Sequence, residues 1–234
     1  RVMGRLLGIV FIIPFTFFLI KKKLTKKLII QSCILLIMGA SQGLIGWWMV
    51  KSGLVNKPDV SHFRLAIHLI TAFLTCAYTM WIALPLIYPS LKKGNKKIFN
   101  PLILLFILVI TQIIYGAFVA GLKAGRIYNT WPKMGDQWMP DSVFLDPGSG
   151  SQFIHRTLAL IIVAFTFFIW QKRKKIDLSK LEHKSLSVLP FLVSLQTILG
   201  ILTLIMVAPI SLALAHQVLA FFLLLSLVFN LFLF

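Results

Sequence analysis

The chain has 234 residues, 59% of them hydrophobic and 13% charged, with a formal net charge of +18 and a mean hydropathy of +0.91. So few polar side chains cannot cover the surface of a soluble domain of this size, which excludes that class. The positive charge does not mark a nucleic-acid binder, because the lysines stand in short clusters between apolar runs, as in a membrane protein with its basic loops inside.

Seven apolar runs are long enough to cross a bilayer, and lipid forces each to satisfy its own backbone as a helix. Span A covers roughly 4–20, B roughly 28–50, C roughly 62–87 and D roughly 100–120. Span E covers roughly 152–170, F roughly 186–208 and G roughly 209–234. The A–B loop carries Lys21, Lys22, Lys23, Lys26 and Lys27, and the C–D loop carries Lys92, Lys93, Lys96 and Lys97. The E–F loop carries Lys172, Arg173, Lys174, Lys175, Lys180 and Lys184. These three loops therefore face the cytoplasm or matrix, and Arg1 with the B–C and D–E loops faces outward. The chain opens at Arg1 without a methionine and on the lip of a span, so a preceding helix is expected to be missing. Cys33 and Cys76 fall inside spans, where packing is the simpler reading than a disulfide. The acidic residues Asp59, Asp136, Asp141, Asp146, Asp177 and Glu182 are all placed in loops. A transporter driven by protons usually keeps a carboxylate at membrane depth, so that class is weakened.

Spans B, D and F share a glutamine followed four residues later by glycine: Gln42 and Gly46, Gln112 and Gly116, Gln196 and Gly200. Spans C and G carry His68 and His216, and E opens with His155-Arg156. The recurrence predicts an all-α polytopic protein of two pseudo-repeated four-helix bundles, with seven spans present and an eighth, N-terminal one missing. Residues 1–98 are the remainder of the first half and 99–234 form the second.

His68, His155 and His216 all lie near the outer helix ends, within roughly 10 Å of them at about 1.5 Å per residue. Alternate helices of an up-down bundle are diagonal, roughly 11–14 Å apart when neighbours are 8–10 Å apart. That gap suits two imidazoles with an iron porphyrin edge-on between them, so the three histidines are candidate heme ligands. A single intramembrane histidine is equally well explained as an interhelical hydrogen-bond partner. No Cys, Asp or Glu stands nearby to complete a zinc or di-iron carboxylate site. The Gln-x-x-x-Gly elements are explained by close helix packing with an interhelical hydrogen bond, or by glycine clearing space for a flat macrocycle. Arg156 and Arg64 are candidate contacts for heme propionates, or ordinary interfacial arginines. His62 at the mouth of C and His183 in a basic loop are read as interfacial and solvated. The D–E loop, with Tyr128, Trp131, Pro132, Trp138 and Pro140, is read as a structured lid on the membrane surface.

The strings "GAFVAGLKAGRIYNTWPKMGDQWMP", "QFIHR", "QTILGILTL" and "LALAHQ" make the chain resemble heme A synthase, in the form shared by alphaproteobacteria and mitochondria, along essentially all of its length. Lys123 stands where most such proteins are expected to carry Asp. The resemblance implies a heme b cofactor held by His155 and His216 in the second half. It also implies heme O as substrate in the first half, with His68 as one ligand. The other ligand would be a histidine just before Arg1, preceded by a Glu that takes part in the oxidation. The implied reaction converts a heme O methyl group at C8 to formyl with water-derived oxygen, electrons leaving through heme b. The implied setting is a multi-pass place in the bacterial or mitochondrial inner membrane, with heme O synthase and cytochrome oxidase assembly factors as partners and no nucleic acid. A diheme b-type cytochrome serving quinone and a heme or small-molecule transporter are the competing readings.

Overall fold

The computed structural model describes residues 2–53, 58–91 and 94–234, so Arg1, Lys92 and Lys93 lie outside the described residues. The described residues form eight α-helices: α1 (Val2–Ile20), α2 (Lys26–Val50), α3 (His62–Ile87), α4 (Lys96–Gly121), the short α5 (Ser142–Leu145), α6 (Pro147–Lys172), α7 (Lys180–Ile205) and α8 (Ile210–Leu233). Among the described residues, all but α5 are long and apolar enough to span a membrane. The expected polytopic all-α class holds.

Local chemistry sets where the helices start and stop. Thr25, Asn95 and Asp146 cap α2, α4 and α6 by accepting hydrogen bonds from backbone N–H groups of the first turn. Pro147 follows its cap at the first helical position, where its fixed φ costs nothing. Span E therefore begins five residues before the sequence reading placed it. Ser179 and Glu182 form a capping box that starts α7 at Lys180 rather than 186. Glu182 is thus a buried first-turn residue of a helix rather than a loop carboxylate. At its other end α7 stops at Ile205, because Val207 and Ala208 take positive φ values of 61° and 54° before Pro209.

The chain divides into two compact units, Arg1–Ile87 and Tyr88–Phe234. In the first, α2 packs between α1 and α3. No side chain of α1 or α2 is buried, as expected of helices whose apolar surface meets lipid. In the second, the neighbour order is α4–α6–α7–α8 and back to α4. This closed square makes α6 and α8 diagonal partners, as α4 and α7 are. Its dense core lies toward the lysine-rich loops. Leu102, Leu105, Leu186, Leu189, Leu224 and Leu227 are almost fully enclosed there. In lipid such packing acts through van der Waals contact rather than water exclusion. The buried positions of α7 end at Val193 and those of α8 begin only at Leu223. His155 and His216 stand toward the lysine-poor end of the square, where α4 and α6 still bury Ala117 and Gln152.

Candidate functional site

His155 lies eight residues after the start of α6 and His216 six after the start of α8, while His68 lies six after the start of α3. At about 1.5 Å per residue these are matched depths of roughly 9–12 Å. His155 and His216, on diagonal helices, face one another with ring centroids 6.5 Å apart and planes at 73°. Two imidazoles bound to one metal from opposite sides, at about 2.0–2.1 Å each, bring their centroids to roughly 6 Å. The pair is therefore spaced to share a single iron. The Nδ1 atom of each ring is buried without a hydrogen-bond partner. A buried imidazole nitrogen in that state is costly unless something binds it. Among the described residues no three His, Cys, Asp or Glu side chains cluster as a metal site, and the two facing imidazoles are the candidate donor set. That set suits a planar iron macrocycle, which supplies its other four ligands itself.

Each histidine is held by the preceding spanning helix, and here the structure shows what periodicity left unread. Gln112 Nε2 on α4 donates to the His155 carbonyl at 2.9 Å and lies 3.4 Å from its ring Nε2. Gln196 Nε2 on α7 donates to the His216 carbonyl at 3.0 Å and lies 3.2 Å from its ring Nε2. In the first unit the Gln42 amide, with its nitrogen toward His68, reaches the carbonyl at 3.3 Å and ring Nδ1 at 3.2 Å. The glycine four residues on makes room for the same ring. A Cβ on Gly46, Gly116 or Gly200 would stand 3.2, 3.1 or 2.8 Å from the Cε1 of His68, His155 or His216. The space beside each glycine is taken by an imidazole edge.

The two arginines are occupied by the protein. Arg64 Nη1 donates to the Trp48 carbonyl at 2.8 Å and its guanidinium stacks over the Trp48 ring, fastening α3 to the end of α2. Arg156 Nη2 lies 2.9 Å from each of the Thr130, Pro132 and Lys133 carbonyls. The guanidinium also sits over the Trp131 ring. Its Nη1 is buried with no partner while Nη2 holds the loop.

That loop is ordered by a set of polar ties which the sequence reading did not single out. Asn129 Nδ2 donates to the Gly125 and Leu204 carbonyls, pinning the loop to the end of α7. Gln152 Nε2 donates to the Tyr128 carbonyl, and the Tyr128 hydroxyl bonds Ser142. The Tyr-Asn-Thr run was the available signal, since side chains that bond backbone are what an ordered non-helical segment needs. Lys123 adopts a left-handed φ of 53° just after α4. Asp enters that region more readily than Lys, which gives the expected Asp a conformational reason. His183 is not simply solvated, since its Nδ1 lies 3.3 Å from Arg173 Nη1.

These features define a helical membrane protein that carries an inward-facing imidazole pair inside a four-helix unit, under an ordered loop. The sequence profile described as COX15-CtaA, cytochrome oxidase assembly protein, matches residues 1–228. The chain is 45% identical to a heme A synthase of Flavobacterium johnsoniae over 99% of its own length and 71% of that protein's. It is 47% identical to a heme A synthase of Flavobacterium psychrophilum over 96% and 69%. It is 37% identical to the heme A synthase COX15 of Arabidopsis thaliana over 93% and 52%. The chain belongs to the COX15-CtaA family of cytochrome oxidase assembly proteins. It is a multi-pass oxidoreductase of an inner membrane.

Proposed function

We propose that the protein oxidises heme O to heme A, using a heme b held between His155 and His216. The observation that carries this reading is the diagonal imidazole pair at 6.5 Å. The relatives named heme A synthase supply the product. Converting the C8 methyl group to formyl with water as oxygen source releases four electrons and four protons. A heme b, when bound, supplies one-electron redox chemistry through which those electrons leave to an outside acceptor.

The residues contribute position and exclusion. His155 and His216 would hold the heme b between them, and two imidazole ligands would suit that group to electron transfer. His68, held by Gln42 and Gly46 in the same manner, takes the iron of the substrate on one face and fixes the macrocycle's height in the membrane. Arg156 offers Nη1 to a propionate while its other nitrogen secures the loop; Arg64, whose Nη1 is committed to the Trp48 carbonyl, is the matching guanidinium at the substrate side. The ordered 121–141 segment keeps bulk water from the outer edge of the site. The farnesyl tail of heme O directs its entry from lipid, and heme O synthase and oxidase assembly factors are the partners this chemistry calls for.

The test is pigment analysis after co-expression of the full-length protein with a heme O synthase. Heme A or a hydroxylated intermediate is expected. Recovery of heme O and heme b alone refutes the assignment. Independently, His216→Ala is expected to abolish the low-spin heme b spectrum, and an unchanged spectrum would refute the ligand pair.

A further inference from the structure

We infer that Ala159 and Ala220 are the walls of a slot that takes the inner, vinyl-bearing edge of heme b, which makes them size-determining residues for the macrocycle. This rests on the heme reading above, and adds how the macrocycle is seated.

The residues stand in register. Each helix that carries a candidate ligand has an alanine four residues after it: His68 and Ala72 in α3, His155 and Ala159 in α6, His216 and Ala220 in α8. Positions i, i+4 and i+7 share one face of a helix, so a histidine turned into the bundle brings the next two inward with it. In α6 and α8 the third position holds Ile162 and Leu223, both buried. At about 1.5 Å per residue, the alanines lie roughly 6 Å inward of the histidines and the larger pair roughly 10 Å.

An alanine one turn from a histidine has a plain packing explanation, since small side chains let helices approach closely. Close approach would fill the space beside it. Instead Ala159 and Ala220 line a cavity of about 50 Å³, with Gln112 and Gln196 at its sides and Ile162 and Leu223 at its floor. Each member contributed by α4 or α6 has its counterpart from α7 or α8, so the cavity straddles the pseudo-symmetry of the square. Pockets that enclose a whole small ligand measure about 300–1,000 Å³, so this one receives an edge rather than a molecule.

The orientation follows from the facing imidazoles. Ligands on opposite faces of one iron set the macrocycle's plane across the line from α6 to α8. Those helices are diagonal, so the plane contains the bundle axis, and one edge points inward between the two alanines. Arg156, next to His155 under the outer loop, has its Nη1 buried without a partner. Propionates drawn to it turn outward. The opposite edge of heme b carries the vinyl groups, and a floor of isoleucine and leucine suits vinyl rather than carboxylate. A flat ring sits with carbon neighbours at about 3.5–4.0 Å from each face. A longer side chain on either wall enters that space, and a leucine there leans back toward the helix N-terminus, which is toward the histidine.

The experiment compares Ala159→Leu, Ala220→Leu and the Val variant at each position with Ala164→Leu, an exposed position of α6. Heme-depleted full-length protein is titrated with heme b and with deuteroheme, which carries hydrogen in place of both vinyl groups. Low-spin absorption is read, with His216→Ala as the blank for heme bound elsewhere, and thermal unfolding of the heme-free forms is recorded. The Leu variants are expected to lose heme b affinity by about tenfold or more, through overpacking against the macrocycle. Their heme-free forms are expected to unfold no earlier than the parent, because the added methyl groups enter empty space. The Val variants are expected to favour deuteroheme over heme b more than the parent does, and Ala164→Leu to match the parent throughout. Heme b held by the Leu variants as tightly as by the parent overturns the slot while leaving the heme reading intact. So does earlier unfolding of their heme-free forms, since the alanines then pack against protein. Should a Leu variant fail to accumulate, the smaller Val variant decides the matter by the same readings. Absence of bis-histidine heme from the unaltered protein overturns both readings together.

Discussion

Gly200→Ala probes the tightest of the three glycine–histidine approaches. The added methyl would stand 2.8 Å from Cε1 of His216, with Nδ1 at 3.4 Å and Nε2 at 3.6 Å. Ordinary carbon–carbon contact begins at about 3.5 Å, so the ring must withdraw by roughly 0.7 Å. Overpacking of this kind costs about 1–3 kcal/mol. Alanine returns up to about 1 kcal/mol through its better helix propensity. The balance is a loss of about 0–2 kcal/mol that falls on the ring serving as a ligand, and about 1.4 kcal/mol is tenfold in heme affinity. Gly116→Ala, starting from 3.1 Å, asks for roughly half that displacement and is expected to be milder. Gly39→Ala meets nothing within 4 Å and serves as the neutral-to-stabilising control. The assay is the rate of heme transfer from detergent-purified protein to apomyoglobin, together with thermal unfolding of the heme-depleted form. The expected order of heme loss is Gly200→Ala, then Gly116→Ala, then unaltered protein. If Gly200→Ala holds heme as firmly as the parent and unfolds no earlier, the ring does not sit against α7 and the reasoning fails.

Two further outcomes follow from the outer loop. Arg156→Ala removes the charged donor shared by three carbonyls, at about 1.5–3 kcal/mol for hydrogen bonds to a charged group; limited proteolysis is expected to cut within 128–138 first, and an unchanged cleavage pattern would contradict its anchoring role. Asp146 accepts from the Ser149 amide at 2.7 Å, and that bond holds its carboxyl below the usual carboxylate range. A depressed folded value means the cap's contribution is present above the unfolded value of about 3.9 and is lost as pH falls through the folded one. Amide-exchange protection at Ser149, corrected for intrinsic rate, is therefore expected to drop under acid in the parent and to be insensitive to pH in Asp146→Asn.

Much of this protein was legible from residues alone. Lipid demands about 20 apolar residues with internally satisfied backbone, so α1 to α4 and α6 to α8 are written as hydropathy. Caps such as Asn95 and Asp146 act within one helical turn, and boundaries drawn from apolar content alone missed them by four or five residues. The matched depth of His68, His155 and His216 was visible because rise per residue is fixed. Which side chains those rings would meet was not. Gln112, Gly116 and Arg156 each had several faces and neighbours open to them, and only the order α4–α6–α7–α8 assigns the first two to His155 and turns the third beneath the loop. Hydropathy encodes an interaction with lipid, which acts on each helix separately; side-chain partnership depends on rotation and neighbour order, which exist only once the helices have packed.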